Sequence, residues 1–230
     1  MTTTALPPSP LLAPLTPAER SRVLEAAVLR RFGRGDTVVQ EGEPGESLHI
    51  VRTGRLAVRV STPTGATATL SVLSAGDAFG ELALLNQGHV RTATVVALER
   101  SETLALTRAA FEALRRGHPA VERVVTEALA RRVQELSSSL LEALFVPVER
   151  RVVARLVDLG RTYGDGAARG QVTVPITQDD LAGMVGTTRP TTNQVLQRLA
   201  DEGVLSLGRG RIELTDLESL RARAAAWGYY

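Results

Sequence analysis

The feature that most constrains this fold is a stretch without glycine or proline that separates Pro119 from Pro147. Within it, apolar residues recur in alternating steps of four and three: Leu129, Val133, Leu136, Leu140 and Ala143. That spacing is typical of a coiled-coil seam, so we predict one long helix over residues 119–146 that dimerises with its twin. At about 1.5 Å per residue, such a helix is roughly 40 Å long. The alternative is a long helix that packs on its own domain.

The residues on the two sides of this helix predict different structures. Before it, short β-branched runs at residues 37–39, 48–51 and 56–60 are separated by turn residues, which indicates a β-sandwich or small barrel. After it, helical spacing dominates, with one hairpin at residues 204–214. We therefore predict an α+β chain with two domains joined by the long helix.

The same patterns predict the domain boundaries. Residues 1–14 are rich in threonine and proline and lack a basic segment, which predicts a disordered lead-in rather than a signal peptide. We expect the β-barrel domain over residues 15–118, the dimerisation helix over residues 119–146 and a second domain over residues 147–230.

The composition excludes several classes of chemistry. The chain has no cysteine, so iron–sulfur clusters, disulfides and redox-active thiols are excluded. Its three histidines, at His49, His89 and His118, are too dispersed to predict a metal site, and no nucleophile–base set indicates an enzyme. No apolar run approaches the roughly 18 residues that a membrane span requires. We therefore predict a cytoplasmic protein that has no enzymatic activity, binds no metal and contacts no membrane.

Residues 176–203 have the pattern of a helix-turn-helix. Thr177 is a typical N-cap, and Gly186 follows Ala182 in the small-residue arrangement that lets two helices cross at a tight turn. Because the net charge is only +2, a prediction of DNA binding must rest on where particular residues lie. The candidate DNA-binding residues are Gln178, Thr188, Arg189, Thr191, Asn193, Gln194 and, in the following hairpin, Arg209. The alternative is an ordinary helical hairpin with a solvated polar face.

A second candidate site lies late in the strand-rich region. Gly80 opens a short predicted helix, and the N–H groups at such a start can bind an anion. Glu81 can accept a hydrogen bond from a ribose hydroxyl, and Arg91 can neutralise a buried phosphate through its planar guanidinium. On these residues alone, the alternative is a structural ion pair between Glu81 and Arg91.

The order of these motifs resembles one family of bacterial regulators. Residues 80–85 (Gly-Glu-Leu-Ala-Leu-Leu), followed by residues 91–94 (Arg-Thr-Ala-Thr), are similar to the phosphate-binding cassette of cyclic-nucleotide-binding domains. Together with residues 130–132 (Ala-Arg-Arg) and the later helix-turn-helix, they make the chain similar to the cyclic-AMP receptor (CRP/FNR) family. The resemblance implies an N-terminal double-stranded β-helix, or jelly roll, a long dimerisation helix and a C-terminal winged helix-turn-helix.

The resemblance also implies roles for the matching cassette positions. Glu81 would bind the ribose 2′-hydroxyl, Arg91 would pair with the cyclic phosphate, and Thr92 would hydrogen-bond the phosphate or the base. Backbone contacts to the phosphate are implied for Gly80, Leu82 and Ala83. The implied effector is cyclic AMP, with no metal and no iron–sulfur cluster.

One position departs from the pattern of the cyclic-AMP-binding members. These members carry a Thr-Ser pair on the long helix that meets adenine; here Ser137 matches, but Leu136 replaces the threonine. Leucine cannot donate a hydrogen bond, so the departure bears on which nucleotide binds. It keeps open a family member that is active without nucleotide or responds to another effector.

The helix-turn-helix departs from the family pattern as well. Arg189 matches the first arginine, whereas Pro190 and Gln194 replace a glutamate and a second arginine. We therefore expect a DNA half-site that differs at one or two base pairs. The partners implied are a second copy of the chain, near-palindromic double-stranded DNA and RNA polymerase. An alternative from another class is the cyclic-nucleotide-binding regulatory subunit of an enzyme, against which the helix-turn-helix counts.

Overall fold

The structure is a computed structural model that describes residues 8–61, 67–85, 88–164 and 171–228. It divides into two compact units. The first unit holds the described residues up to Gln134 apart from Thr67–Thr69, and the second holds those three residues together with the described residues from Glu135 onward. The boundary near residue 134 falls inside one long helix.

Two antiparallel sheets form the N-terminal part of the chain. The strands described there are β1 (Val28–Phe32), β2 (Thr37–Val39), β3 (Ser47–Thr53), β4 (Leu56–Ser61), β5 (Thr67–Leu73), β6 (Ala78–Phe79), β7 (Thr94–Ala97) and β8 (Ser101–Thr107). One sheet has the order β1-β8-β3-β6 and the other the order β2-β7-β4-β5. Because most neighbouring strands, all except β4 and β5, are not consecutive in the chain, the two sheets form a jelly roll rather than a simple meander.

Four helices accompany these strands: α1 (Pro17–Ala26), α2 (Glu81–Leu85), α3 (Arg108–Gly117) and α4 (Pro119–Phe145). The first begins at a capping box in which Thr16 and Glu19 satisfy each other's backbone N–H groups. The core of the first unit lies between β3, β8 and the helices, where Leu48, Ile50 and Phe111 are almost completely buried.

The expectation of a disordered lead-in over residues 1–14 is wrong for residues 8–14. Leu11 and Leu12 are buried in the core of the first unit, and their turn is closed by the Leu12 N–H, which donates to the Ser9 carbonyl at 3.0 Å. The threonine and proline content concealed this short apolar run, whose burial removes it from water. Residues 1–7 lie outside the described part of the chain.

The second unit is a winged helix-turn-helix. After α4 it contains α5 (Val148–Tyr163), β9 (Val172–Val174), α6 (Gln178–Met184), α7 (Arg189–Asp201), β10 (Leu205–Gly208), β11 (Arg211–Leu214) and α8 (Leu217–Ala226). The sheet has the order β10-β11-β9, and its core includes Leu156, Leu181 and Leu196, which are fully buried. The predicted α+β fold, with its jelly roll, long helix and winged helix-turn-helix, is confirmed.

Candidate anion site and recognition helix

Arg91 is the centre of the candidate site in the first unit. Its side chain comes from the segment before β7 and is only 6% exposed. Nη1 donates to the Gly80 carbonyl at 3.3 Å, while Nη2 donates to the Ser47 carbonyl at 2.8 Å and to Ser47 Oγ at 3.2 Å. These bonds hold the guanidinium against β3 and the start of α2.

The charge of Arg91 has no close counter-charge within the described residues. No carboxylate there lies within 4.0 Å of the guanidinium. A guanidinium has five N–H donors, so three hydrogen bonds leave at least two N–H groups for another acceptor. Burial lowers the pKa of Arg91, and the more distant carboxylates of Glu81 and Glu46 oppose that shift. A buried cation of this kind is stabilised when an anion binds beside it.

Glu81 begins α2 on the other side of Gly80 and is half-buried. Burial raises the pKa of Glu81, whereas Arg132 and, to a smaller degree, Arg91 act to lower it. The structural ion pair that the sequence left open does not form: in the described structure the two side chains interact only at longer range. The Glu81 carboxylate therefore stays available as a hydrogen-bond acceptor.

Two glycines allow the backbone to approach Arg91 closely. Gly80 has a φ of +90°, and a Cβ atom built on it would collide with Nη1 of Arg91. A Cβ atom on Gly45 would likewise collide with the side chain of Ala83. Only glycine fits either position without a shift of its neighbours, so the sequence requires glycine where α2 begins.

The remaining predicted pocket residues differ in exposure. Leu82 is 36% exposed and Thr92 is exposed, whereas Ala83 is buried against Gly45. Ser137 lies on α4 in the second unit, where it is exposed. The structure thus brings Gly80, Glu81 and Ala83 together around Arg91 in the first unit, and the roles of Thr92 and Ser137 stay predictions.

The helix-turn-helix is shaped by local capping. Thr177 caps α6 in a capping box with Asp180, whose Oδ2 accepts from the Thr177 backbone N–H at 3.0 Å. Gly186 has a φ of +64° in the turn, and Thr188 then caps α7, which begins at Arg189. The first turn of α7 tolerates Pro190 because the backbone N–H there has no helical partner.

The predicted DNA-binding residues lie at the start of both helices and in the wing. Thr188, Arg189, Gln194 and Arg209 are exposed, and Gln178, Thr191 and Asn193 are partly buried. Nη1 of Arg189 lies 3.6 Å from Oδ2 of Asp179, in an ion pair whose side chains are 64% and 65% exposed. Such an exposed pair is weak, so Arg189 can leave Asp179 for a base or a phosphate.

Buried Arg151 supports the turn between these helices. It lies on α5, and its Nη1 donates to the carbonyls of Val185 and Gly186 in the turn, while its Nε donates to the Val146 carbonyl at 3.1 Å. The bond to Val185 is a short contact. One guanidinium therefore ties the end of α4 to the helix-turn-helix, which sequence spacing did not predict.

Comparisons with known proteins decide the family. The cyclic nucleotide-binding domain family matches residues 29–118, and the Crp-like helix-turn-helix domain family matches residues 150–223. The "Cyclic AMP receptor protein" of Thermus thermophilus is 35% identical over 208 residues, which cover 90% of this chain and 93% of that protein. The chain belongs to the CRP/FNR family of transcription regulators. The "CRP-like cAMP-activated global transcriptional regulator" of Mycobacterium tuberculosis is 31% identical over 84% of this chain and 86% of its own length.

Solved structures of CRP/FNR regulators share the fold. The catabolite activator protein of Thermus thermophilus is 33% identical, with a TM-score of 0.54, and the match covers 96% of this chain and 100% of that one. A transcriptional regulator of the CRP/FNR family from the same organism is 26% identical, with a TM-score of 0.71, over 86% of this chain and 98% of that one. The family predicted from the cassette and the helix-turn-helix is confirmed. As a CRP/FNR protein, the chain is a transcription regulator with cyclic-nucleotide-binding and DNA-binding domains.

Most of the apolar seam predicted on α4 of this CRP/FNR chain is exposed to solvent. Leu129 packs partly against the core of the first unit, but Val133 is 64% exposed, Leu136 46% and Leu140 61%, and Ala143 is exposed as well. Phe145, at the end of the helix, is 78% exposed.

None of the helices described is long and apolar enough to cross a membrane. The described residues also contain no cluster of His, Asp and Glu that could hold a metal ion.

Sequence reasoning missed several residues around the anion site of this CRP/FNR regulator. Ser47 anchors Arg91, and Arg108 donates to the Gly45 carbonyl at 2.9 Å and to the His89 ring at 2.8 Å. Arg132 entered the sequence analysis only as part of a motif. In the structure, its charge lowers the pKa of Glu81 more than the charge of Arg91 does. No local signal marks Ser47 or Arg108, because each comes from a strand or helix distant in sequence.

Proposed function

We propose that the chain is a homodimeric regulator whose first unit binds 3′,5′-cyclic AMP and whose second unit then binds a near-palindromic DNA site. The observation that carries the proposal is the buried guanidinium of Arg91, which lacks a carboxylate within ion-pair distance among the described residues. An unpaired buried charge is costly, so an anionic ligand that completes the site binds with a gain in free energy.

The chemistry of the site fits a cyclic nucleotide. Its cyclic phosphate carries one negative charge and exposed oxygens, which the remaining N–H donors of Arg91 can bind in a charge-assisted way. The Glu81 carboxylate can accept from the ribose 2′-hydroxyl next to that phosphate. Related proteins are named as cAMP-activated regulators, which favours cyclic AMP as the effector.

The dimer is proposed on the exposed apolar face of α4. Val133, Leu136 and Leu140 face solvent in the single chain and repeat at coiled-coil spacing, so pairing with a second copy would bury them. A two-fold dimer would present two α7 helices to successive major grooves roughly 34 Å apart. Arg189 would grip a guanine, and Arg209 of the wing would contact phosphate.

The proposed function implies a cellular location and a further protein partner. A regulator that binds chromosomal DNA acts in the cytoplasm of a bacterial cell, beside RNA polymerase, which is the expected further partner. Its output is a change in transcription rather than a chemical reaction, so it is proposed as a non-enzyme.

A second candidate is a CRP/FNR regulator that responds to another effector or to none. The observation that favours it is Leu136, which takes the place of a hydrogen-bonding residue in the cyclic-AMP-binding members and is 46% exposed. An apolar side chain there offers no hydrogen bond to a purine base.

Calorimetric titration with cyclic AMP and cyclic GMP tests the proposal. Wild-type protein is expected to bind cyclic AMP, and Arg91→Gln should weaken binding by about 100-fold because it removes the charge-assisted bonds. Arg100→Gln is the matched control, because Arg100 is exposed in the turn between β7 and β8. Selection from a randomised DNA library with and without cyclic AMP then tests the switch. Equal DNA binding in both conditions, with no heat of nucleotide binding, supports the second candidate instead.

A further inference from the structure

We infer that His49 is a positioning residue for the anion site: through the Ser47 hydroxyl it orients the guanidinium of Arg91. The inference rests on the proposed nucleotide function for its effect on affinity, but the orientation of Arg91 can be measured without any nucleotide. It assigns a function to a buried histidine that the sequence placed only in a strand.

His49 is held by three strands of one sheet. It lies on β3 and is 6% exposed, and its ring stacks on Phe79 of β6 with centroids 5.0 Å apart and an interplanar angle of 17°. Nε2 lies 3.0 Å from Ser47 Oγ, and Nδ1 lies 3.1 Å from Thr103 Oγ1 on β8. Both ring nitrogens therefore have a hydroxyl partner.

The Ser47 hydroxyl connects this ring to Arg91. Its oxygen accepts from Nη2 of Arg91 at 3.2 Å, so its own proton is directed to another acceptor. The acceptor in reach is Nε2 of His49. If the Ser47 hydroxyl donates to Nε2 of His49, Nε2 carries no proton. The electron-rich side of the ring then faces the Arg91 cation, which is electrostatically favourable.

The remaining ring proton then lies on Nδ1 and is donated to Thr103 Oγ1. The histidine is neutral, because burial first and then the charges of Arg91 and Arg30 lower the pKa of His49 to about 4. The result is a chain of hydrogen bonds from Thr103 through His49 and Ser47 to Arg91. Neutral histidine in solution has no such fixed tautomer, so the protonation of Nδ1 is a specific consequence of this geometry.

Loss of the chain would free the Ser47 hydroxyl to rotate. Arg91 would keep its bonds to the carbonyls of Ser47 and Gly80 but would lose a fixed third acceptor. A less ordered guanidinium must be ordered when the phosphate binds, which reduces affinity. The His49 side chain thus acts on the ligand without touching it.

Glutamine and asparagine at position 49 separate this role from simple packing. The amide of glutamine can occupy the region of Nε2 and accept from Ser47, whereas the shorter asparagine reaches only the region of Nδ1, beside Thr103. His49→Gln should bind cyclic AMP within about threefold of wild type, and His49→Asn about tenfold more weakly. Ser47→Ala, a small change that is expected to fold, should resemble His49→Asn. A purely structural histidine would make the two amides equivalent.

Nitrogen NMR of the nucleotide-free full chain gives the independent measurement. We expect a proton on Nδ1 of His49 and slowly rotating guanidinium signals for Arg91, which persist in His49→Gln and broaden in His49→Asn and Ser47→Ala. A proton on Nε2 in the wild type, or unchanged Arg91 signals in both of those variants, would overturn the inference. Absence of cyclic-AMP binding by wild type would instead reject the proposed function, while the NMR result would still decide whether His49 orients Arg91.

Discussion

At the scale of single residues, the buried hydroxyl group of Thr192 in the second unit bears on stability. Thr192 lies on the inner side of α7 and is completely buried, and its Oγ1 has no hydrogen-bond partner within the described residues. In the sequence it occupies a position suited to an apolar residue. A buried hydroxyl without a partner costs free energy relative to a methyl group of the same shape.

Replacement of Thr192 by valine is therefore expected to stabilise the protein. The free energy of unfolding should rise by about 1 kcal/mol, because the shape is kept and the unpaired hydroxyl is removed. Urea denaturation of both proteins measures the difference. Thr215→Val is the matched control: Thr215 Oγ1 donates to the Gly203 carbonyl at 2.7 Å, so this variant should lose stability. A lower denaturation midpoint for Thr192→Val would contradict the prediction.

His49 predicts how stability depends on pH. The pKa of His49 falls from 6.5 to about 4 on folding, because burial disfavours the imidazolium and Arg91 repels it. Between these two values the unfolded chain binds more protons, so stability is full above pH 6.5 and decreases as the pH is lowered to about 4. The loss attributable to this residue is about 3 kcal/mol, at roughly 1.4 kcal/mol per pKa unit.

Unfolding measured between pH 7 and pH 4 in wild type and His49→Gln tests this dependence. The glutamine variant should lose less stability on acidification, since its side chain does not titrate in that range. The rest of the chain is the same in both proteins, so the difference between their pH profiles reports on position 49. Parallel pH profiles would show that His49 is not the group responsible.

At the scale of secondary-structure elements, Arg151 joins two segments of the second unit. Its guanidinium donates to carbonyls at the end of α4 and in the turn between α6 and α7. The Val185 carbonyl is buried, so the loss of its donor would be costly. The turn that places α7 is therefore held by a side chain from α5 as well as by its own Gly186.

Arg151→Met should lower the free energy of unfolding by about 3 kcal/mol, because it leaves the buried Val185 carbonyl and the part-buried Gly186 carbonyl without their donor. Arg150→Met is the neighbouring control: Arg150 is exposed and lies over the ring of Trp227 at 5.5 Å, an interaction worth about 0.5–1 kcal/mol. Thermal and urea denaturation compare the two variants. Equal losses in both would mean that the bonds to the turn add nothing to stability.

The start of α7 predicts which arginine recognises DNA. Arg189→Ala should reduce affinity for a selected operator by about 10- to 100-fold, the range expected for an arginine that contacts guanine. Arg198→Ala, in the last turn of the same helix, is the control, because Arg198 pairs with Glu149 at 3.1 Å. Fluorescence anisotropy with operator and scrambled DNA measures both. Operator affinity that survives Arg189→Ala would reject the assignment of the recognition helix.

At the scale of the whole molecule, the exposed apolar face of α4 is the surface on which we propose that the dimer forms. Val133, Leu136 and Leu140 repeat along this face and are exposed in the single chain. Exposed apolar residues with coiled-coil spacing are stabilised when a second helix covers them. Dimerisation in turn decides whether both halves of a palindromic site are bound at once.

Leu140→Glu is therefore expected to convert the dimer into a monomer at micromolar concentration and to reduce operator affinity. Paired glutamates at the centre of an apolar seam would be desolvated and repel each other. Ser138→Glu places the same charge on the opposite face of α4 and should leave the dimer intact. Sedimentation equilibrium measures the mass of each variant. A Leu140→Glu protein that stays dimeric would show that α4 is not the interface.

Local features of the sequence determined much of this protein. The absence of glycine and proline between Pro119 and Pro147 specified α4, and Thr177 marked the start of α6. These residues act through backbone groups that are close in sequence, so their effect requires no tertiary contact. The cassette was identified instead by its resemblance to cyclic-nucleotide-binding domains, which residues 80–85 and 91–94 carry.

Tertiary structure alone decided which side chains surround those features. Ser47 meets Arg91 from 44 residues away, and Arg151 meets the Val185 carbonyl from 34 residues away. Such contacts depend on strand register and helix packing, which a single sequence does not specify locally. The burial of Leu11 and Leu12 has the same cause: their side chains fill a core that exists only once the sheets and helices have assembled.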